Sequence, residues 1–141
     1  MPTEIEIRRG VEADHPLVYK ATARMLRQSE YYADLPQAEY TAMINAIIGR
    51  LLKTWVLYIA AFRAVPDETA GFLLCVPGVA AASLFVKPDY QRKGVARMLM
   101  QHAGLTNFIA VLGSPKAFRL AHGKGLLVRH SPYFGGILAD I

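Results

Sequence analysis

A chain of 141 residues, 53% hydrophobic and 19% charged, has the length and apolar content for one folded domain over residues 1–141 and excludes a disordered chain. Glu4, Glu6, Arg8 and Arg9 argue against a secretory leader, and the apolar run from Ala70 to Val86 is split by Pro77-Gly78 and too short to span a bilayer. The single cysteine, Cys75, excludes an internal disulfide and points to a core position in a reducing, cytoplasmic setting. The net charge of +5 is concentrated late: residues 1–86 carry 8 Lys/Arg against 9 Asp/Glu, and residues 87–141 carry 8 against 2. A basic second half suits a polyanionic ligand.

In chain order, Glu4 to Arg9 alternates Ile5 and Ile7 with charge, the pattern of a half-buried strand. Asp14 is placed to cap a helix that has Pro16 in its first turn and reaches about Gln28. A loop over Ser29 to Pro36 follows, carrying Glu30, Tyr31 and Tyr32. Tyr40, Met43, Ile44, Ile47, Ile48, Leu51 and Leu52 then repeat at three-four spacing and predict a second helix. Trp55 to Phe62 reads as a strand, Pro66-Asp67-Glu68 as a turn, and Ala70 to Val76 and Val79 to Val86 as strands joined at Pro77-Gly78. A helix from Gly94 ends near Gly104, and Asn107 to Leu112 is a short buried strand. Pro115 to His122 reads as a helix and Lys124 to His130 as a returning strand. No repeat or linker interrupts this order.

The junction between Val86 and Leu99 carries the most chemistry. An apolar strand ends, a polar loop follows, and glycine opens an amphipathic helix. The first backbone N–H groups of a helix lack intrahelical partners, and the helix dipole adds to their pull on anions. Gly94 lets a phosphate approach the backbone closely, and Arg92, Lys93 and Arg97 add positive charge around the same point.

Val86-Lys87-Pro88 followed by Gln91-Arg92-Lys93-Gly94-Val95-Ala96 resembles the acyl-coenzyme A loop of the GNAT superfamily of N-acetyltransferases, whose pattern is Val-x-Pro, then Gln or Arg, two residues, Gly, one residue, and Gly or Ala. The order of strands and helices along the chain is similar too. The resemblance implies an α/β fold: a mixed, mostly antiparallel sheet with one parallel strand pair, flanked by helices. It also implies acetyl-coenzyme A as donor. The pyrophosphate would lie on Gln91, Arg92, Lys93, Gly94, Val95, Ala96 and Arg97. The thioester carbonyl would be held by backbone N–H groups of Leu84, Phe85 and Val86, and Ser114 would hydrogen-bond to the coenzyme arm where the family commonly has Asn.

Two departures bear on catalysis. The family often places a Glu base on or near the strand before the loop, and this chain has Ala80-Ala81-Ala82-Ser83. It often uses a Tyr to protonate the departing thiolate, and Ala121 stands at that position. His122 is the first replacement, because its ordinary pKa suits proton transfer near neutrality, and Tyr133 in the tail is the second. Lys116, Arg119, Lys124 and Arg129 divide between surface charge and contact with a 3′-phosphate. No metal centre is expected.

The expected function is transfer of an acetyl group from acetyl-coenzyme A to a primary amine of a small molecule or protein. The alternative is a catalytically degenerate GNAT-like binding or structural module, a type that bacteriophages also encode. Nucleic-acid binding ranks last, for want of an aromatic-basic platform or recognition helix. No membrane association is expected, and a homodimer is compatible with the chain.

Overall fold

The computed structural model describes residues 4–27, 33–110 and 127–130. The elements are β1 (Ile5–Arg9), α1 (His15–Arg27), α2 (Gln37–Thr54), β2 (Val56–Phe62), β3 (Val65–Val76), β4 (Ala80–Val86), α3 (Val95–Ala103), β5 (Asn107–Ala110) and β6 (Leu127–His130). The strands form one sheet in the order β1-β2-β3-β4-β5-β6. β1 to β4 run antiparallel, and β4 and β5 run parallel, with Ala80 opposite Ile109 and Ala81 opposite Ala110. A second parallel pair follows, Asn107 opposite Leu127. The residues 111–126 between β5 and β6 exceed the dozen or so that a parallel connection requires.

The core has two halves, one on each face of the sheet. On one face α1 and α2 bury Val18, Ala21, Leu26, Tyr40, Ile44, Ile48 and Leu51 against Ile59, Phe72 and Leu74. On the other, α3 buries Val95, Leu99, Met100 and Ala103 against Ala60, Leu73 and Cys75. Successive β3 residues therefore serve opposite faces, as the two-residue strand repeat requires, and Leu73, Leu74 and Cys75 are all fully buried. Burial pushes the Cys75 thiol up to about 12. The α2 stripe expected from three-four spacing is the buried set Tyr40, Ile44, Ile48 and Leu51.

Two local expectations change. Asp14 does not cap α1 from its N-terminus. It ends a short 3₁₀ turn, and its carboxylate faces backward, accepting the Val11 N–H at 2.8 Å and both guanidinium nitrogens of Arg8 at 2.8 and 2.9 Å. A carboxylate beside a bidentate arginine gains more than one facing water. Pro66-Asp67-Glu68 is not the β2–β3 turn, which is Arg63-Ala64. The register jumps from Ala61 opposite Thr69 to Phe62 opposite Val65, so residues 66–68 bulge out of the ladder. A bulge tolerates a proline, which has no N–H to give.

The C-terminal end of α3 is closed by Gly104 at φ 72°, with Gly104 N–H donating to Gln101 O at 3.1 Å and Leu105 N–H to Met100 O at 2.9 Å. That is the double bond pattern of a left-handed helix stop. The Ala103 carbonyl accepts the Gly78 N–H at 2.8 Å, so the β3–β4 turn is tied to the same helix end.

Candidate functional site

The strand leading to the loop is irregular where that matters. Leu74 faces Ser83 but Cys75 faces Ala81, so Ala82 has no opposite residue. Side chains stop alternating there. Ala82 and Ser83 both turn to the α1–α2 face, where the Ser83 hydroxyl pairs with Thr22 of α1 at 2.8 Å, both buried. Leu84 and Val86 return to the α3 face and Phe85 to the other. Gly71 makes room for this strand: a Cβ there would sit 2.2 Å from the Phe85 carbonyl oxygen.

Backbone direction past the bulge follows from one bond. Lys87 N–H donates to Ala70 O of β3 at 2.8 Å. The two-residue repeat then turns the N–H groups of Leu84 and Val86 away from β3. The described pairing with β5 ends at Ala81 and Ala110. Leu84 and Val86 therefore direct N–H groups to an edge with no ladder partner among the described residues.

A 3₁₀ turn at Pro88–Tyr90 opens the loop, with Tyr90 N–H donating to Lys87 O at 2.9 Å. The Gln91 side-chain amide donates back to Val86 O at 3.1 Å, fastening the loop to the strand end. Arg92 sits in the left-handed region at φ 64°, uncommon for a side chain with a Cβ, and Gly94 at φ 83° is the N-cap of α3. Gly94 offers no capping side chain, and the first turn of α3 has no acidic residue. The N–H groups of Val95, Ala96 and Arg97 thus have no partner within the helix. No heavy atom lies within 4 Å of a Cβ built at Gly94, and Arg92, Lys93 and Arg97 are exposed around it. This open, positively framed helix end has room and donors for a pyrophosphate.

Tyr90, which sequence reasoning passed over, ties the loop to the sheet. Its hydroxyl donates to the Glu68 carboxylate at 3.2 Å, its ring meets Phe62 edge-on at 4.9 Å, and the Lys93 ammonium stands 6.0 Å above its ring. Partial burial and the Glu68 carboxylate hold its phenol above the ordinary range, and so protonated. An aromatic one residue before the Gln91–Ala96 pattern was the available signal.

β4 carries no carboxylate, and no cluster of metal-ligating side chains occurs among the described residues. Ser114, His122 and Tyr133 lie outside the described residues, as do Glu30, Tyr31, Tyr32 and the expected helix Pro115–His122. The structure thus brings Leu84 to Arg97 together. A separate groove of about 490 Å³ runs between α1 and α2, lined by His15, Tyr19, Asn45, Gly49 and Lys53, among others, and shares no residue with the loop.

The acetyltransferase (GNAT) domain family matches residues 51–127, more than half of the chain, from the last turn of α2 to the first residue of β6. The chain belongs to the GNAT acetyltransferase family. Its α/β sheet has counterparts among solved structures. A Pyrococcus furiosus protein with an acetyl transferase assignment is similar at a TM-score of 0.60 and 14% identity, over 86% of this chain and 92% of that one. AAC(6')-Iy, solved with the bisubstrate analog CoA-S-monomethyl-acetylneamine, is similar at 0.53 and 15%, over 88% and 91%. At such identities the likeness concerns the fold. Apo-form YjaB from Escherichia coli is 26% identical at a TM-score of 0.50, over 71% of this chain, and the chain spans 64% of YjaB's length. No curated protein matches the chain in sequence. GNAT membership supports acyl transfer in general, and no described helix of this GNAT chain is long and apolar enough to cross a membrane.

Proposed function

We propose that this GNAT chain is an N-acyltransferase that moves the acetyl group of acetyl-coenzyme A to a primary amine of a small molecule or protein. The observation that carries the reading is the uncapped start of α3, framed by Arg92, Lys93 and Arg97 and preceded by the bulged β4. The pyrophosphate rests on the N–H groups of Gly94 to Arg97. The Leu84 and Val86 N–H groups polarise the thioester carbonyl, and Ser114 bonds the coenzyme arm. The amine nitrogen attacks the carbonyl carbon, the N–C bond forms, the C–S bond breaks, and the thiolate takes a proton while the amine loses one. His122 supplies that proton, with Tyr133 as the alternative donor. The lone buried cysteine supports a reducing, cytoplasmic setting.

One observation favours a second reading. Ser83, the one polar residue in the Ala80–Ser83 stretch where the family often has its base nearby, is buried and already bonded to Thr22. A chain with no base there fits a GNAT-like module that binds coenzyme A without turnover. Calorimetric titration with acetyl-coenzyme A, followed by assay against a panel of amines, separates the two. Binding with acetylation supports the enzyme. Binding without acetylation of any amine supports the module, and absence of binding overturns both.

A further inference from the structure

We infer that Tyr90 and Glu68 form a latch that positions the phosphate-binding loop, and that Tyr90 is a positioning residue for the donor. This rests on the reading of the loop as a coenzyme A site. Lys87 N–H holds the start of the loop to Ala70 O of β3 at 2.8 Å; from there to Gly94 the bonds seen among the described residues are local, Tyr90 N–H to Lys87 O, a long 3.3 Å bond from Gln91 N–H to Pro88 O, and the Gln91 side chain to Val86 O. Past Lys87, Tyr90 adds what these local bonds cannot, a side-chain anchor to β2 and β3. Its ring packs on the buried Phe62 of β2, and its hydroxyl reaches Glu68 of β3.

The bulge at residues 66–68 acquires a purpose on this account. It lifts Glu68 out of the β2–β3 ladder, on the hairpin beside the loop. Glu68 has no ion-pair partner among the described residues, and its carboxylate takes the Tyr90 hydroxyl. Tyr90 is followed by Gln91 and by Arg92, whose left-handed backbone turns the chain toward Gly94. Fixing the ring of Tyr90 therefore fixes the starting point of that turn, and with it the aim of the α3 N–H groups. The Lys93 ammonium over the ring is placed by the same anchor. Pre-positioning of this kind raises affinity by lowering the ordering cost of binding.

The test is a double-mutant cycle on the full chain, read by calorimetric titration with coenzyme A and by thermal melting without it. Tyr90→Phe keeps the ring on Phe62 and removes the hydroxyl. Glu68→Ala removes the acceptor, and Glu68→Gln keeps an acceptor without the charge. The latch predicts that Tyr90→Phe and Glu68→Ala each weaken coenzyme A by roughly three- to tenfold, the worth of one hydrogen bond. The double variant should be no weaker than either single, Glu68→Gln should bind like wild type, and melting temperatures should stay together. With any amine that is turned over, KM for acetyl-coenzyme A should rise while kcat holds. Wild-type affinity in Tyr90→Phe overturns the latch and leaves the loop reading intact. Tighter binding in Glu68→Gln overturns it in favour of plain charge repulsion. Affinity losses that track lower melting temperatures reduce the pair to a structural contact. Failure of the wild-type chain to bind coenzyme A overturns the loop reading and the latch together.

Discussion

Gly94 is the residue on which the proposed anion site turns. At φ 83° a side chain is strained by about 1–2 kcal/mol, yet no neighbour stands where a Cβ would go. Gly94→Val should therefore still fold, melting several degrees below wild type. The branched side chain would still occupy the space a phosphate needs, so coenzyme A affinity should be lost in calorimetry. Normal affinity in that folded variant would remove the α3 N-terminus from the site. Arg92 holds the loop's other left-handed position and carries the same strain without glycine's freedom, a cost in keeping with the proposed ligand-binding loop.

At the scale of elements, the junction of β4, loop and α3 decides both stability and placement of the site. Gly71→Ala would put a methyl 2.2 Å from the Phe85 carbonyl, and backbone has to move to relieve it. We expect a loss of about 1–3 kcal/mol in denaturant unfolding, together with weaker coenzyme A binding, because Phe85 lies between the two N–H groups aimed away from β3. A silent substitution would show that β4 is free to shift. The same junction marks what could be read in the amino-acid sequence. Proline, glutamine and glycine at fixed offsets after an apolar strand are local features, so the loop, the helix it opens and its stop at Gly104 were legible. The bulge at Ala82 was not, because it is a register shift between two strands and nothing in Ala80-Ala81-Ala82 distinguishes it. Glu68 was masked by a proline that looks like a turn and instead sits in a bulge. Asp14 looked like a forward cap because its real partner, Arg8, lies on the preceding strand and is met only in the fold. His122, Tyr133 and Ser114, proposed to act on the thiolate and the coenzyme arm, rest on the sequence pattern alone.

Across the whole molecule, the sheet divides two apolar layers, and charge pairing holds its first strand to the helical layer. Arg8 of β1 grips Asp14 ahead of α1, and the hydrogen bonds from Arg8 hold that carboxyl below its ordinary 3.8. A carboxylate with a lowered folded pKa contributes stability above its unfolded value. That contribution fades as pH falls below about 4 and through the folded value. Wild type should therefore lose roughly 1 kcal/mol more than Asp14→Asn between pH 5 and pH 2 in thermal melts. Equal losses would show that the pair is no more than a surface contact.

Cys75 bears on the order of events in the proposed acetyl transfer. It is the chain's only thiol, fully enclosed, and held protonated by a pKa of about 12. Only a thiolate attacks a thioester readily, so the acetyl group cannot pause on sulfur inside this protein. With a cysteine relay excluded, direct passage from donor to amine requires both to be present together. Initial-rate lines at varied amine should then intersect, where a relay through a cysteine would make them parallel.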